Sequence, residues 1–207
     1  MSEYNSVVQT EAGGDLMRKE AQTRILEAIM TRRSVRHYLA RPVDGETVAA
    51  LLESARLAPS GSNTQPWHFV VIRSETGRRN LVSVCHDQKW MLEAPVLVAC
   101  VADVRSRIKD DSPLSLSETS PEFEVKQIIR DTAIAAEHLV LQAQSMGLST
   151  CWIGRFKQER IRGALRIPSD KYVVAVITVG YSDDQPESRP RKPLDEMVHF
   201  ETWGGQP

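Results

Sequence analysis

"SPEFEVKQIIRDTAIAAEHLVLQAQSMG", residues 120–147, predicts one long helix. Ser120-Pro121-Glu122 is a strong helix start, because serine caps, proline suits the first turn and an acid complements the helix dipole. Gly147 provides a C-terminal stop, so we expect the helix over residues 121–146. Its apolar residues cover more than half of the circumference. The helix is therefore either the central helix of the domain or part of a dimer interface.

Short strands and shorter helices alternate around this helix. The strands are too few for a barrel, which predicts an α+β or α/β fold with one sheet and helices on its faces. We expect a loose arm over residues 1–19 and a single domain over 20–207, with an extended, proline-rich tail from residue 182. Strands are predicted at 67–73, 95–102, 148–154 and 172–181, and helices at 20–30, after Asp44, after Ser74 and at 157–166.

Composition excludes several classes of protein. The chain has 207 residues, 41% of them hydrophobic and 26% charged, and a net charge of −1, whereas a nucleic-acid-binding domain is usually basic. Apolar runs stay well below the roughly 20 residues that span a bilayer, so we expect no membrane segment. The polar start does not resemble a signal peptide, and Cys85, Cys100 and Cys151 lack a CxxC pattern. We therefore expect reduced thiols and a cytoplasmic location.

"TRRSVRH", residues 31–37, concentrates positive charge in this nearly neutral chain. If the stretch is extended, Arg32, Ser34 and Arg36 share one face and can bind a phosphate through charge-assisted hydrogen bonds. Positive charge that favours a helix C-terminus is the alternative. A second basic group, in "SRPRKP", follows the last predicted strand and contains Arg189, Arg191 and Lys192. Two such segments predict convergence on one anion.

The loop "APSGSNTQPWHF", residues 58–69, is rigid and polar. Pro59 and Pro66 restrict it, while the residues between them supply amides, hydroxyls and backbone N–H groups. Such a loop suits the polar rim of a planar ring better than a plain connection.

Common catalytic motifs are missing from the sequence. The histidines are scattered without metal-ligand spacing, so we expect no metal site. The G-x-S-x-G elbow, the phosphate-binding P-loop and the GxGxxG fingerprint are absent as well. A phosphorylated ligand would therefore be bound by arginines and loop amides.

Five stretches, in this order, resemble the FMN-dependent nitroreductases: "RRSVR", "APSGSNTQPWHFVVI", "APVLVACVAD", "AAEHLVLQAQSMGLSTCWIG" and "RPRKPLDEMV". The resemblance covers roughly residues 20–200. It implies an α+β three-layer sandwich with a mostly antiparallel central sheet flanked by helices. It also implies an intertwined homodimer, with one FMN in each of two sites at the subunit interface and with the long helix at that interface.

The resemblance further implies three groups of cofactor-binding residues. One group holds the phosphate and ribityl chain of FMN, a second approaches the flavin from the partner subunit, and a third offers backbone N–H groups near flavin N5 and O4. The group at the phosphate and ribityl chain comprises Arg32, Arg33, Ser34 and Arg36, joined by Arg191 and by Arg189 or Lys192. The group from the partner subunit comprises Pro59, Ser60, Gly61, Asn63 and Gln65. The group near flavin N5 and O4 comprises Ile153 and Gly154. Some members of the family carry a glutamate in place of Ile153.

The implied activity is an oxidoreductase that passes hydride from NADH or NADPH through flavin N5 to a nitroaromatic, quinone or activated alkene in a ping-pong cycle. No side chain needs to act as nucleophile or general base. Two branches of the family are alternatives: a flavin-consuming branch that makes the benzimidazole ligand of cobamides, and reductive dehalogenases. The dehalogenase lid uses Glu, Tyr and Lys, whereas residues 103–120 contain Lys109 and Glu118 but no tyrosine. The non-enzymatic alternative is a flavin- or nucleic-acid-binding protein.

Overall fold

A computed structural model describes residues 25–109, 113–120 and 123–206. The predicted arm over 1–19, the first five positions of the predicted helix at 20–30, and the predicted start at Pro121-Glu122 lie outside these residues. The helices are α1 (Glu27–Thr31), α2 (Gly45–Arg56), α3 (Glu75–Val84), α4 (Phe123–Ser145) and α5 (Gln158–Leu165), and the strands are β1 (Trp67–Ile72), β2 (Val96–Asp103), β3 (Ser149–Ile153) and β4 (Lys171–Gly180).

Side-chain caps fix the starts of α2 and α3. Asp44 Oδ1 accepts a hydrogen bond from the Thr47 N–H at 2.7 Å, and Ser74 Oγ accepts one from the Gly77 N–H at 3.1 Å. Both helices therefore begin where the sequence predicts them. At the end of α4, Gly147 adopts a φ of +73°, which glycine tolerates and which reverses the chain into β3.

The sheet has the strand order β1-β2-β4-β3, and every pair of neighbours is antiparallel. The central strand β2 is buried from Val96 to Ala102. The edge strand β1 is buried only at Trp67 and Ile72, although the apolar run "WHFVVIR", residues 67–73, predicts a buried strand. An apolar run has the same pattern on an edge strand as on a central one, which explains the difference.

Helices cover both faces of the sheet. On one face α2 and α4 pack on Val98, Ile177 and their neighbours, and on the other α3 and α5 pack on Leu97, Val176 and theirs. A bulge in β4, opposite Cys100 and Val101, leaves one extra residue unpaired. The result is the predicted α+β three-layer sandwich with an antiparallel central sheet.

The long helix α4 is the central helix of the domain. It contacts α2 and all four strands, and its buried side includes Ile128, Ala136 and Leu139. The sequence therefore predicts its burial correctly. Among the helices of the described residues, none is long and apolar enough to cross a bilayer.

Two outer segments expose apolar side chains. Helix α1 buries no residue, and Leu26 beside it is 69% exposed. In the tail, Trp203 is 92% exposed and contacts the ring of His199 at 4.4 Å between centroids. Further exposed apolar residues of the tail are Leu194, Met197, Val198 and Phe200. Clusters of exposed apolar residues usually mark a surface that binds another protein.

Candidate functional site

The two basic segments of the sequence converge on one pocket of about 240 Å³. They are separated by some 150 positions along the chain, yet both line this pocket, which we call the basic pocket. Its lining residues are Arg32, Arg33, Ser34, Arg36, Pro186, Glu187, Ser188, Arg189 and Arg191. Lys192, the remaining predicted member of the second segment, is exposed and does not line the pocket.

Backbone pairing with the sheet holds the first segment in place. Ser34 forms a parallel bridge with Thr150, and the Val35 N–H donates to the Thr150 carbonyl at 3.0 Å. Val35 is buried while Ser34 and Arg36 are exposed, as expected for an extended stretch. The arginines therefore stand on a backbone fixed to β3.

Individual arginines of the basic pocket have different partners. Arg33 Nη1 donates to the carbonyls of Met30 and Arg32 at 2.8 and 2.9 Å, so Arg33 caps the end of α1. The alternative of positive charge at a helix C-terminus thus applies to this residue. The Arg36 guanidinium lies over the Trp90 ring, 5.6 Å from its centroid. Stacking of this kind fixes the plane of a guanidinium while leaving its N–H groups available.

Electrostatics at the basic pocket favour a multiply charged anion. Five arginines line it and Glu187 is the single acid among its described lining residues. Burial raises the pKa of the Cys151 thiol. The positive charge of Arg36 and a hydrogen bond with the Ser34 hydroxyl partly offset this rise in pKa. The guanidinium forks match the oxygens of a phosphate, so the residues present fit the phosphate of a nucleotide-type cofactor.

Hydrogen bonds within the loop over 59–66 hold its backbone in an irregular conformation. Residues Ser62, Asn63 and Gln65 all have positive φ angles, of 55°, 52° and 46°. The Gln65 N–H donates to Ser60 Oγ at 2.9 Å, and the Asn63 N–H donates to the Ser60 carbonyl at 3.0 Å. Asn63 and Gln65 are both exposed, and the Gln65 amide donates to the Asn63 carbonyl at 3.4 Å.

Within one chain, this loop and the basic pocket lie at opposite edges of the sheet. The loop enters β1, whereas the pocket adjoins β3, and β2 and β4 lie between them. Three strand spacings separate the edges by about 14 Å. Along β2, Trp67 is level with Ala102 while Thr150 of β3 is level with Val96, which adds about 20 Å along the strands. One mononucleotide does not bridge this distance within a single chain.

The remaining predicted site residues lie at the end of β3. Ile153 is its last residue and is buried, and Gly154 follows it and is exposed. Sequence reasoning missed an ion pair between Arg107 and Asp131, which contacts the backbone of the loop at Gly61. No local pattern points to it, because the two residues lie far from the loop along the chain.

The described residues offer little to a metal ion. Across 25–109, 113–120 and 123–206, no three His, Cys, Asp or Glu side chains come together as a possible ligand set. The cysteines Cys85, Cys100 and Cys151 are buried and free.

Fold and pocket together define an α+β sandwich with a pocket lined by five arginines at one edge of its sheet. The chain belongs to the nitroreductase family, whose sequence profile matches residues 29–181.

Similar proteins match most of the chain. A Methanothermobacter thermautotrophicus protein, provisionally named an NADH dehydrogenase/NAD(P)H nitroreductase, is 31% identical over 189 residues, which are 89% of this chain and 91% of that protein. The 5,6-dimethylbenzimidazole synthase of Rhodospirillum rubrum is 29% identical over 170 residues, 74% of this chain and 80% of the relative. A solved structure of an FMN-dependent nitroreductase from Clostridium difficile has a TM-score of 0.68 and 29% identity, covering 86% of this chain and 99% of its own.

Proposed function

We propose that this protein is an NAD(P)H-dependent FMN oxidoreductase that reduces a nitroaromatic, quinone or activated alkene by a ping-pong cycle. The observation that carries the proposal is the convergence of two basic segments on one pocket in a chain of the nitroreductase family. The FMN-dependent nitroreductase among the similar structures supports the choice of cofactor.

The residues of the basic pocket suit the phosphate end of FMN. Arg32, Arg36 and Arg191 would hold the phosphate, with Ser34 and Arg189 beside it. The backbone N–H groups of Ile153 and Gly154 would donate to the polar edge of the flavin ring and stabilise negative charge there. Bound FMN would supply the chemistry itself, by accepting and returning hydride at N5. The protein contributes binding and orientation.

A homodimer completes the site in this proposal. Because the loop over 59–66 and the basic pocket lie at opposite edges of one sheet, a flavin in contact with both must take the loop from a second copy. The loop residues concerned are Pro59, Ser60, Gly61, Asn63 and Gln65. The exposed apolar residues of α1 and of the tail provide surface for such an assembly.

Purification of the protein followed by spectroscopy tests the proposal. We expect a yellow protein with flavin absorbance bands that oxidises NADH or NADPH when an acceptor from these classes is present. A colourless protein that takes up no FMN would refute the proposal. A screen of acceptors with each nicotinamide then identifies the preferred pair.

A second candidate function is consumption of the flavin, and the similarity to a 5,6-dimethylbenzimidazole synthase favours it. Aerobic incubation of reduced FMN with the protein separates the two candidates. The oxidoreductase preserves the flavin, whereas the synthase destroys it, and the flavin concentration measured by absorbance decides between them.

Contacts of Glu118 disfavour the dehalogenase alternative. Its Oε1 accepts a hydrogen bond from the Gln158 N–H at 2.9 Å, at the first residue of α5. This hydrogen bond lowers the pKa of Glu118 and commits the carboxylate to the helix. The carboxylate is therefore poorly placed to grip an amino-acid substrate.

A further inference from the structure

A buried ion pair binds both backbone polar atoms of Gly61. The Gly61 N–H donates to Asp131 Oδ2 at 3.1 Å, and Arg107 Nη2 donates to the Gly61 carbonyl at 3.2 Å. The same Nη2 lies 3.1 Å from Asp131 Oδ2. Asp131 belongs to the central helix α4, and Arg107 follows the short turn after β2. One glycine of the loop is thus attached to the core of the domain.

Stability alone does not account for this pair. The side chains of Asp131 and Arg107 are 3% and 14% exposed, so both charges have lost most of their hydration. Removing two charges from water offsets most of their attraction, and apolar residues of similar size often stabilise a fold as well. In addition, Arg107 Nε is buried without a hydrogen-bond partner among the described residues, which is unfavourable.

Gly61 fits the ion pair closely. A Cβ at this position would lie 2.6 Å from Arg107 Nη2, and the φ angle of Gly61 is outside the left-handed region. A side chain at this position would therefore displace the end of the Arg107 guanidinium from the Gly61 backbone. After it come Ser62, Asn63 and Gln65, whose positive φ angles persist only where the surroundings impose them.

We propose that Arg107 and Asp131 are positioning residues that hold the loop over 59–66 in the conformation that receives FMN. The inference rests on the proposed function, in which this loop contacts the flavin. Arg107 lies shortly after the end of β2, so the pair also joins this end of β2 to the loop over 59–66. The pair acts through the backbone of Gly61 and does not itself touch the flavin.

The decisive variant removes both charges together, as Arg107→Met with Asp131→Leu. No unpaired charge remains buried, so we expect a melting temperature close to that of the native protein. Gly61 loses both partners, so we expect the dissociation constant for FMN to rise about tenfold or more. The flavin released on dilution of the purified holoprotein, followed by its fluorescence, gives this constant.

Asp170→Asn is the matched control for loss of an ion pair. Asp170 Oδ2 lies 3.0 Å from Arg105 Nε and its carboxylate also contacts Lys171, and neither contact involves Gly61. We expect this variant to retain FMN like the native protein. If the native protein binds FMN and the dissociation constant of the double variant lies within about twofold of the native value, the inference is overturned while the proposed function stands. Native protein that binds no FMN would instead refute the proposed function.

Gly61→Ala gives an independent test if the double variant does not fold. The added methyl group displaces the Arg107 guanidinium, so FMN should be released more readily. In Gly45→Ala, the control, the new methyl meets nothing within 4 Å, and FMN retention should not change. Equal FMN retention in these two variants would contradict the inference.

Discussion

At the scale of single residues, the arginines of the basic pocket are predicted to govern flavin retention. Arg32→Gln removes one charge-assisted donor, worth about 1.5–3 kcal/mol, so FMN binding should weaken by roughly tenfold to a hundredfold. Arg36→Gln should act similarly, although Arg36 also loses its position over Trp90. Flavin content after dialysis and the dissociation constant from fluorescence measure the effect.

Arg56→Gln is the control for this prediction. Arg56 is exposed near the end of α2, where it pairs with Glu53 at 2.6 Å and not with the pocket. Its flavin content should equal that of the native protein. Unchanged flavin content in both Arg32→Gln and Arg36→Gln would contradict the assignment of the basic pocket to the phosphate.

The buried thiols predict how stability depends on pH. Burial raises the pKa of Cys85 to about 11 and that of Cys100 to about 12. The native state therefore holds protons that the unfolded chain releases above its thiol pKa near 9. The stabilisation is complete below pH 9 and is lost as the pH rises towards 11 and 12.

Urea denaturation at pH 8 and at pH 10 checks this dependence. We expect a lower midpoint at pH 10, and a smaller decrease in Cys100→Ala. Burial also raises the pKa of Tyr38, whose hydroxyl contacts the Val35 carbonyl and Thr178 Oγ1, and this effect has the same sign. A midpoint that rises between pH 8 and pH 10 would contradict the prediction.

At the scale of elements, the N-terminal cap of α3 should contribute measurably to stability. Ser74→Ala removes the acceptor of the Gly77 N–H and should lower the free energy of unfolding by about 1 kcal/mol. Ser83→Ala, near the exposed end of the same helix, should change it by less than about 0.5 kcal/mol. Chemical denaturation of the two variants compares them, and equal midpoints would show that the cap has no role.

Local signals explain which elements the sequence predicts well. Asp44, Ser74 and Gly147 act on backbone groups within a few residues. The starts of α2 and α3 and the end of α4 therefore follow from the sequence. The two basic segments were also identifiable, because charge stands out in a nearly neutral chain. The sequence also predicts that these two segments converge, but the pocket that both of them line forms only when the whole domain has folded.

Long-range placement explains what the sequence did not predict. Lys192 continues the motif of Arg189 and Arg191, yet it is exposed and does not line the basic pocket. The exposure of β1 depends on its position in the sheet, which an apolar run does not encode. The pair of Arg107 and Asp131 forms only when β2, α4 and the loop have assembled.

At the scale of the whole molecule, the proposed dimer predicts complementation between two defective chains. One chain carries Arg32→Ala and Arg36→Ala, and the other carries Asn63→Asp and Gln65→Glu. Each native site needs the basic pocket of one chain and the loop of the other. After refolding an equal mixture, about a quarter of the sites should be native, because half of the dimers are mixed and each contains one.

Reductase activity at limiting FMN measures this complementation, with each variant refolded alone as the control. Light scattering establishes that the mixed sample is dimeric. If the mixture is only as active as the mean of the two variants refolded alone, the basic pocket and the loop of the same chain bind one flavin.

The concentration of charge in one pocket has a consequence for which anions the protein attracts. With a net charge of −1, the molecule as a whole exerts no long-range pull on an anion. The five arginines act over about 10 Å, the screening length at 0.1 M salt. A patch of this size matches one terminal phosphate, whereas a polyelectrolyte with repeating charges requires an extended basic surface. The protein should therefore select small mobile phosphates in a solution crowded with nucleic acid.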